Sequence, residues 1–215
     1  MWTKAFFHSF QKETELTWKF FIKIEVDKFN YTAGQFIRIK INDLIRSYSI
    51  ASFNENSNVV ELIIVKLEGG EMSTLLFEKI TEGDELEVKG PLGKFVLPDV
   101  IDNDIFFICT GTGLGPFRSM LKYINLKKIN YQNIYLIFGT RTIKDILYFE
   151  EIKQLRNSRD NKKTEYALSK MQKAAETDKN LMPFILDAVL VNATTGEISN
   201  TFREVFGEYR PKEVF

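Results

Sequence analysis

Apolar and polar residues follow one pattern up to about residue 98 and a different one after it. In the first stretch the apolar residues form short alternating runs. Over 35–41, Phe36, Ile37, Ile39 and Ile41 are interrupted by Arg38 and Lys40; Thr17 to Val26 alternates loosely; Val59 to Val65 is rich in β-branched residues; Glu85 to Lys89 alternates briefly. Successive side chains on a strand point to opposite faces, so these runs predict half-buried strands. Ala33-Gly34, Asn54-Glu55-Asn56, Gly69-Gly70, Glu82-Gly83-Asp84 and Gly90-Pro91-Leu92-Gly93 read as the turns between them, and only Met72 to Lys79 looks helical. Many short strands with glycine turns predict an antiparallel barrel or sandwich.

Past Leu97-Pro98-Asp99 strands and helices alternate. Ile105 to Cys109 is a continuous apolar run, as expected of a strand buried on both faces. A glycine loop follows, then a helical pattern from Pro116 to Lys127, a strand over Asn133 to Phe138 and a helix over Tyr148 to Arg156. Thr164 to Leu168 reads as a weaker strand, and Val189-Leu190-Val191 with Ile198 to Phe206 as a repeat of the alternation. That order predicts a parallel α/β sheet. The expected organisation is therefore two domains, a β domain over 1–98 and an α/β domain over 99–215. The polar, charge-mixed stretch from Asn157 to Asn180 is expected to include a mobile loop.

Composition narrows the chemistry. The 215 residues are 44% hydrophobic and 27% charged, and 29 Lys+Arg balance 29 Asp+Glu, so no net field draws the chain to nucleic acid or an anionic membrane. One cysteine, Cys109, excludes an intramolecular disulfide and any cysteine-cluster zinc or iron–sulfur site. One histidine, His8, excludes most histidine-based metal and triad chemistry. The first residues lack a signal-peptide pattern and no window nears the roughly 20 apolar residues of a membrane span, so a cytoplasmic protein is expected. The nineteen phenylalanines are scattered, as in a rich core. A bound organic cofactor is then the expected carrier of reactivity.

Two segments have the residues to bind one. Cys109-Thr110-Gly111-Thr112-Gly113-Leu114-Gly115-Pro116-Phe117 lies between the apolar strand and a helix. Gly111 and Gly113 leave room for a phosphate to approach the backbone, Pro116 suits the first helical position, and the helix start offers free N–H groups and a positive dipole end. A tight strand–helix turn with no ligand is the other reading. The usual dinucleotide fingerprint is not met: its third small position is Pro116, and the next strand ends Phe138-Gly139-Thr140-Arg141, with a cation instead of an acidic ribose ligand. In Arg46-Ser47-Tyr48-Ser49-Ile50-Ala51-Ser52, alternation puts Arg46 and Tyr48 on one face. A guanidinium binds phosphate bidentately, and a phenol beside it stacks on a flat heterocycle. Gly69-Gly70-Glu71-Met72-Ser73-Thr74 opens the helix of that half and forms a second candidate phosphate cradle.

These pieces, in this order, resemble the ferredoxin–NADP reductase family, especially its compact bacterial flavodoxin/ferredoxin reductases, over about residues 1 to 155. Arg46-Ser47-Tyr48-Ser49 resembles the family's R-x-Y-S motif, Gly70 to Ser73 its G-x-x-S, and Gly90-Pro91-Leu92-Gly93 its G-P-x-G hinge. Thr110 to Pro116 resembles the T-G-x-G-x-x-P loop, and Gly139-Thr140-Arg141 the following G-x-R. The resemblance implies a six-stranded antiparallel barrel holding FAD, then a parallel α/β Rossmann-like domain for NADP(H), with NAD(H) as the alternative. It implies that Arg46 holds the FAD pyrophosphate with backbone N–H groups around Met72 and Ser73. Tyr48 would stack on the isoalloxazine, Ser49 would approach flavin N5, and Ile50 would complete the contact stretch. Thr110 would sit near the nicotinamide, with Gly111, Thr112, Gly113 and Pro116 around the pyrophosphate and Gly139 and Arg141 beside them. Ser169 and Lys170 would stand where an S-R pair receives a 2′-phosphate. The implied activity is hydride transfer between NAD(P)H and flavin, with single electrons exchanged with ferredoxin or flavodoxin, in a monomer or weak homodimer.

The match weakens past about residue 165. Where relatives carry a C-G pair after their last main strand, this chain reads Asn192-Ala193-Thr194 after Val189-Leu190-Val191, and at Glu213-Val214-Phe215 the resemblance implies a few further residues leading to a terminal aromatic. A flavin-binding electron-transfer or regulatory subunit with impaired nicotinamide turnover is the alternative reading.

Overall fold

The computed structural model describes residues 1–152 and 161–208. The chain divides into two compact units, Met1–Leu147 and Tyr148–Phe215.

The first unit opens with six strands: β1 (Thr3–Lys12), β2 (Thr17–Ile24), β3 (Phe36–Ile41), β4 (Leu44–Ser49), β5 (Val59–Val65) and β6 (Glu85–Leu92). They form one antiparallel sheet in the order β4-β3-β6-β1-β2-β5. An isolated bridge between Ile50 and Leu62 joins the end of β4 to β5 and curls the sheet into a barrel. Alternate residues fill its interior, among them Phe20, Ile22, Ile37, Ile39, Val60, Leu62 and Val88, all buried. β1 is a strand that simple alternation does not reveal, because a bulge between Phe7 and Ser9 shifts its register at His8. β6 runs on through Gly90, Pro91 and Leu92, with Leu92 paired to Phe36, so this part of the expected turn is strand. A short helix, α1 (Glu71–Thr74), continues as a single π-helical turn over Leu75–Lys79 and turns Met72 and Leu76 into the barrel core.

β7 (Ile105–Thr110) and β8 (Ile134–Gly139) pair in parallel, joined through a short helical turn at Gly111–Gly113 and α2 (Leu114–Lys127). Pairing changes from antiparallel to parallel between Leu92 and Ile105. β7 is not buried on both faces as its composition suggests. Phe107 packs on Phe117 of α2 with ring centroids 4.7 Å apart, whereas Phe106 and Ile108 on the opposite face are 47% and 66% exposed. Helix α2 starts at Leu114, so Pro116 is its third residue and not its first. Proline fits there because first-turn N–H groups have no intrahelical acceptor.

In the second unit the described residues beyond 160 are helical: α3 (Asn161–Ala175), α4 (Met182–Leu190) and α5 (Thr195–Phe206). Ile198–Phe206 falls within α5, Val189 and Leu190 close α4 where a strand is expected, and the strand expected at Thr164–Leu168 is helix. So is the 161–175 part of the expected mobile stretch; 157–160 lie outside the described residues. Thr164, Ala167, Met171 and Ala174 recur at three- and four-residue spacing and are all buried, which is helical and not strand periodicity. Ala167, Met171 and Ala188 gather Phe184, Ile185, Ile198 and Phe202 into a separate small core. Thr194 and Glu197 form a reciprocal capping box that starts α5. The expected helix over 148–156 is helical at 149–152; its remainder, and Phe215, are outside the described residues.

Candidate functional site

The site begins on β4. Its register sets Arg46 opposite Ile39 and Tyr48 opposite Ile37, so the two side chains share a face as alternation requires. Arg46 is exposed; its Nη1 donates to the Ile45 carbonyl at 2.8 Å, and among the described residues no carboxylate pairs with it. Tyr48 is half-buried against the barrel core. Burial pushes its phenol up to about 12 against the opposing pull of the Arg46 charge, so the hydroxyl keeps its proton at neutral pH. Ser49 ends the strand, paired to Phe36. Ile50 lies inside the core, its N–H donating to the Gln35 carbonyl at 3.0 Å.

Helix α1 packs against β4, which brings a second donor group beside Arg46. The N–H groups of its first turn have no acceptor within the helix. The Ser73 hydroxyl accepts from the Leu67 N–H at 2.9 Å, so its side chain closes the Gly69-Gly70 loop. Met72 is core.

A third group sits at the carboxyl ends of the parallel strands. Thr110 pairs with Gly139, which sets the loop after β7 beside the loop holding Thr140 and Arg141. This is where open α/β sheets hold nucleotides. Gly111 has φ +50 and an added Cβ would meet nothing within 4 Å, so its backbone borders open space. Gly113 is exposed, Thr112 half-buried and Arg141 exposed.

The two halves of the site meet at the start of α2. A Cβ on Gly115 would lie 3.3 Å from Ile63 Cγ2, 3.7 Å from Ala51 Cβ and 4.0 Å from Ser49 Cβ. Below it, Arg118 Nη1 donates to the Ala51 carbonyl at 2.9 Å and to Glu61 Oε2 at 3.0 Å, and Ser119 Oγ donates to the Ser52 carbonyl at 2.7 Å. Sequence reasoning passed over these three residues. The available signal was a lone carboxylate in the apolar run Val59-Val60-Glu61-Leu62-Ile63 and an arginine on the inner face of a helix. Arg46, Tyr48, Ser49, Gly70 to Ser73, Thr110 to Pro116 and Gly139 to Arg141 thus belong to one compact unit. Ser169 and Lys170 do not: they stand exposed on α3 of the second unit, Lys170 Nζ lying 4.8 Å from the Tyr166 ring centre. Cys109 is buried and its thiol is pushed up to about 11 by burial, so it is not a thiolate nucleophile.

Residues 11–97 match the oxidoreductase FAD-binding domain family and residues 107–205 the oxidoreductase NAD-binding domain family. The reductase component of propane 2-monooxygenase from Mycolicibacterium smegmatis is 36% identical over 134 residues, 61% of this chain and 38% of that protein. Ferredoxin–NADP reductase B of Sorangium cellulosum is 32% identical over 146 residues, 66% of this chain and 59% of that protein. Among solved structures, the ferredoxin–NADP+ reductase of Plasmodium falciparum superposes with a TM-score of 0.62 at 26% identity, covering 73% of this chain and 65% of that one. The ferredoxin–NADP+ reductase of Neisseria gonorrhoeae, solved with FAD and NADP, shares the fold with a TM-score of 0.64 at 24% identity, over 72% of this chain and 63% of that one. This chain spans 38% to 59% of the two sequence relatives' own lengths.

The chain belongs to the two-domain oxidoreductases, an FAD-binding domain followed by an NAD-binding domain, and ferredoxin–NADP reductases are among its homologues and structural neighbours. A guanidinium with no carboxylate partner among the described residues, first-turn N–H groups without a side-chain cap and clear space over a left-handed glycine suit a dinucleotide pyrophosphate, so the residues present fit both nucleotides. Among the described residues no group of acidic, histidine or cysteine side chains could hold a metal ion, and no helix is long and apolar enough to cross a membrane.

Proposed function

We propose that this protein is an FAD-dependent reductase that passes a hydride between NAD(P)H and flavin, with ferredoxin or flavodoxin as the one-electron partner. We assign the flavin to a domain over residues 1–98 and the nicotinamide to one over 99–215. The observation that carries the reading is the close approach at Gly115: a Cβ built on this first-turn residue of α2, just past the glycine loop, would lie 4.0 Å from Ser49 Cβ, on the strand that carries Arg46 and Tyr48. Two nucleotide sites joined in this way can bring two flat rings together.

FAD, when bound, supplies the conversion between a two-electron hydride and single electrons. The chain binds and orients. Arg46 and the first turn of α1 hold the flavin pyrophosphate. The neutral Tyr48 phenol covers the isoalloxazine, and the Ser49 hydroxyl directs a hydrogen bond at N5. Thr110 borders the nicotinamide, and the backbone of Gly111, Thr112 and Gly113, before Pro116, faces its pyrophosphate. Gly139 admits that group, and Arg141 offers a cation to the adenosine end, with Ser169 and Lys170 as the other candidates for a 2′-phosphate. A cytoplasmic monomer or weak homodimer fits these assignments.

One observation favours a second reading, a flavin-binding electron-transfer or regulatory subunit with impaired nicotinamide turnover. The parallel sheet has two strands among the described residues, and helices occupy 161–206 where further strands are expected. An absorption spectrum and anaerobic titration separate the possibilities. Flavin bands near about 375 and 450 nm that bleach with NADPH or NADH support the reductase; bands that neither donor bleaches support the subunit; absence of the bands overturns both.

A further inference from the structure

We propose that Arg118 and Glu61 are a buried positioning pair that sets the gap between the glycine loop after β7 and the flavin-facing strand β4, and so governs the rate of hydride transfer. This rests on the reductase reading above.

Consecutive turns of α2 grip the chain just beyond Ser49. Gly115 lies over Ala51 and Ile63, Arg118 binds the Ala51 carbonyl and the Glu61 carboxylate, Ser119 binds the Ser52 carbonyl, and Tyr123 meets the Phe53 ring edge-on at 5.0 Å. Glu61 holds the same segment from the other side: its carbonyl accepts from the Ala51 N–H at 2.8 Å and its N–H donates to Ser52 Oγ at 3.0 Å. Arg118 and Glu61 are only 8% and 9% exposed.

A buried ion pair is a poor source of stability, because desolvation offsets its attraction. It is a good source of geometry, because hydrogen bonds are directional and apolar contact is not. Apolar side chains would let α2 slide over β5; a guanidinium fixed to a carbonyl and a carboxylate on two different segments leaves one position. The lever arms are short. Arg118 is about one helical turn from Leu114, where the glycine loop ends, and Ala51 is two residues from Ser49. Hydride transfer needs the reacting atoms about 3–3.5 Å apart, and a misplacement of about 1 Å costs about 100-fold in rate.

The test uses the full chain loaded with FAD, with Glu61→Gln, Arg118→Met, Arg118→Lys and the exchanged pair Glu61→Arg with Arg118→Glu. Flavin occupancy, the rate of anaerobic flavin reduction by NADPH or NADH, and amide hydrogen exchange over 110–117 are measured for each. Glu61→Gln and Arg118→Met are expected to retain flavin, to slow reduction about 10- to 100-fold with little change in KM, and to exchange faster over 110–117. Arg118→Lys recovers part of both losses. If Arg118→Met does not fold, the isosteric Glu61→Gln carries the comparison. Unchanged exchange over 110–117 in a folded variant overturns the proposal, as does faster exchange with an unchanged reduction rate. A flavin-loaded unaltered chain that neither nucleotide reduces sinks the reductase reading, and with it the link to hydride transfer; the exchange data then decide separately whether the pair holds the loop.

Discussion

Arg46 is exposed on β4 and, among the described residues, has no carboxylate partner. A guanidinium in that state is a prepared phosphate ligand, and a charge-assisted hydrogen bond contributes about 1.5–3 kcal/mol. Arg46→Ala is therefore expected to weaken FAD binding about 10- to 100-fold, read as flavin lost on dialysis or as a raised Kd; unchanged retention would remove Arg46 from the site. Tyr48 yields a pH prediction. Burial raises its phenol to about 12 from the ordinary 10.0. Between those values the unfolded chain gives up a proton that the folded chain keeps. The contribution is whole below pH 10 and is lost as pH rises through about 12. Thermal melts at about pH 9 and about pH 11.5 should fall further for the unaltered protein than for Tyr48→Phe, and equal falls would contradict the assignment.

Elements show where reading the chain succeeded and where it stopped. β3 follows from alternation, α2 from helical spacing, and β2, β5 and β8 from short apolar or β-branched runs bounded by polar residues. β1 was hidden by its bulge, since one extra residue at His8 moves every later side chain to the other face. β7 looked doubly buried because Phe106 and Ile108 are apolar, yet burial depends on what covers the sheet, which no local pattern records. The misread helices are more instructive. Val189-Leu190-Val191 is a short apolar run with two β-branched residues, yet Val189 and Leu190 close a nine-residue apolar helix, and a run this short does not separate strand from helix. Pro183 and the Thr194…Glu197 capping box are helix signals carried by the sequence itself. For the site, the motif residues were legible one by one; the contact that joins them was not, because Gly115 and Arg118 act across a long sequence separation. That contact is testable. Gly115→Val places branch atoms beyond a Cβ already 3.3 Å from Ile63, and overpacking of this kind costs about 1–3 kcal/mol. A fall in Tm of about 3–10 °C is expected, with a smaller one for Gly115→Ala. A Tm unmoved by valine would show that α2 does not seat on the barrel at this point.

At the scale of the whole molecule, the division of labour is uneven. The barrel core, both donor groups proposed for the flavin, and the paired loops after β7 and β8 all lie within Met1–Leu147, while α3, α4 and α5 close a core of their own. Of the candidate ligand residues only Ser169 and Lys170 fall outside the first unit, and they stand on a helix without the strand-end loop that usually presents a phosphate ligand. Arg141, by contrast, follows Gly139 at the carboxyl edge of β8, in register with Thr110. A chain ending at Leu147 should then fold, since no residue of the barrel core is removed, and should keep flavin bands near about 375 and 450 nm. The same chain separates the two candidates for the adenosine end. If Arg141 meets the 2′-phosphate, the ratio of NADP+ to NAD+ affinity, measured by titrating the bound flavin spectrum, is unchanged by the truncation. If Ser169 and Lys170 meet it, the shortened chain loses the preference while still binding FAD. The expected result is retention, because Arg141 stands at the carboxyl edge of β8, in register with Thr110, and a cation beside the crevice acts on a phosphate there.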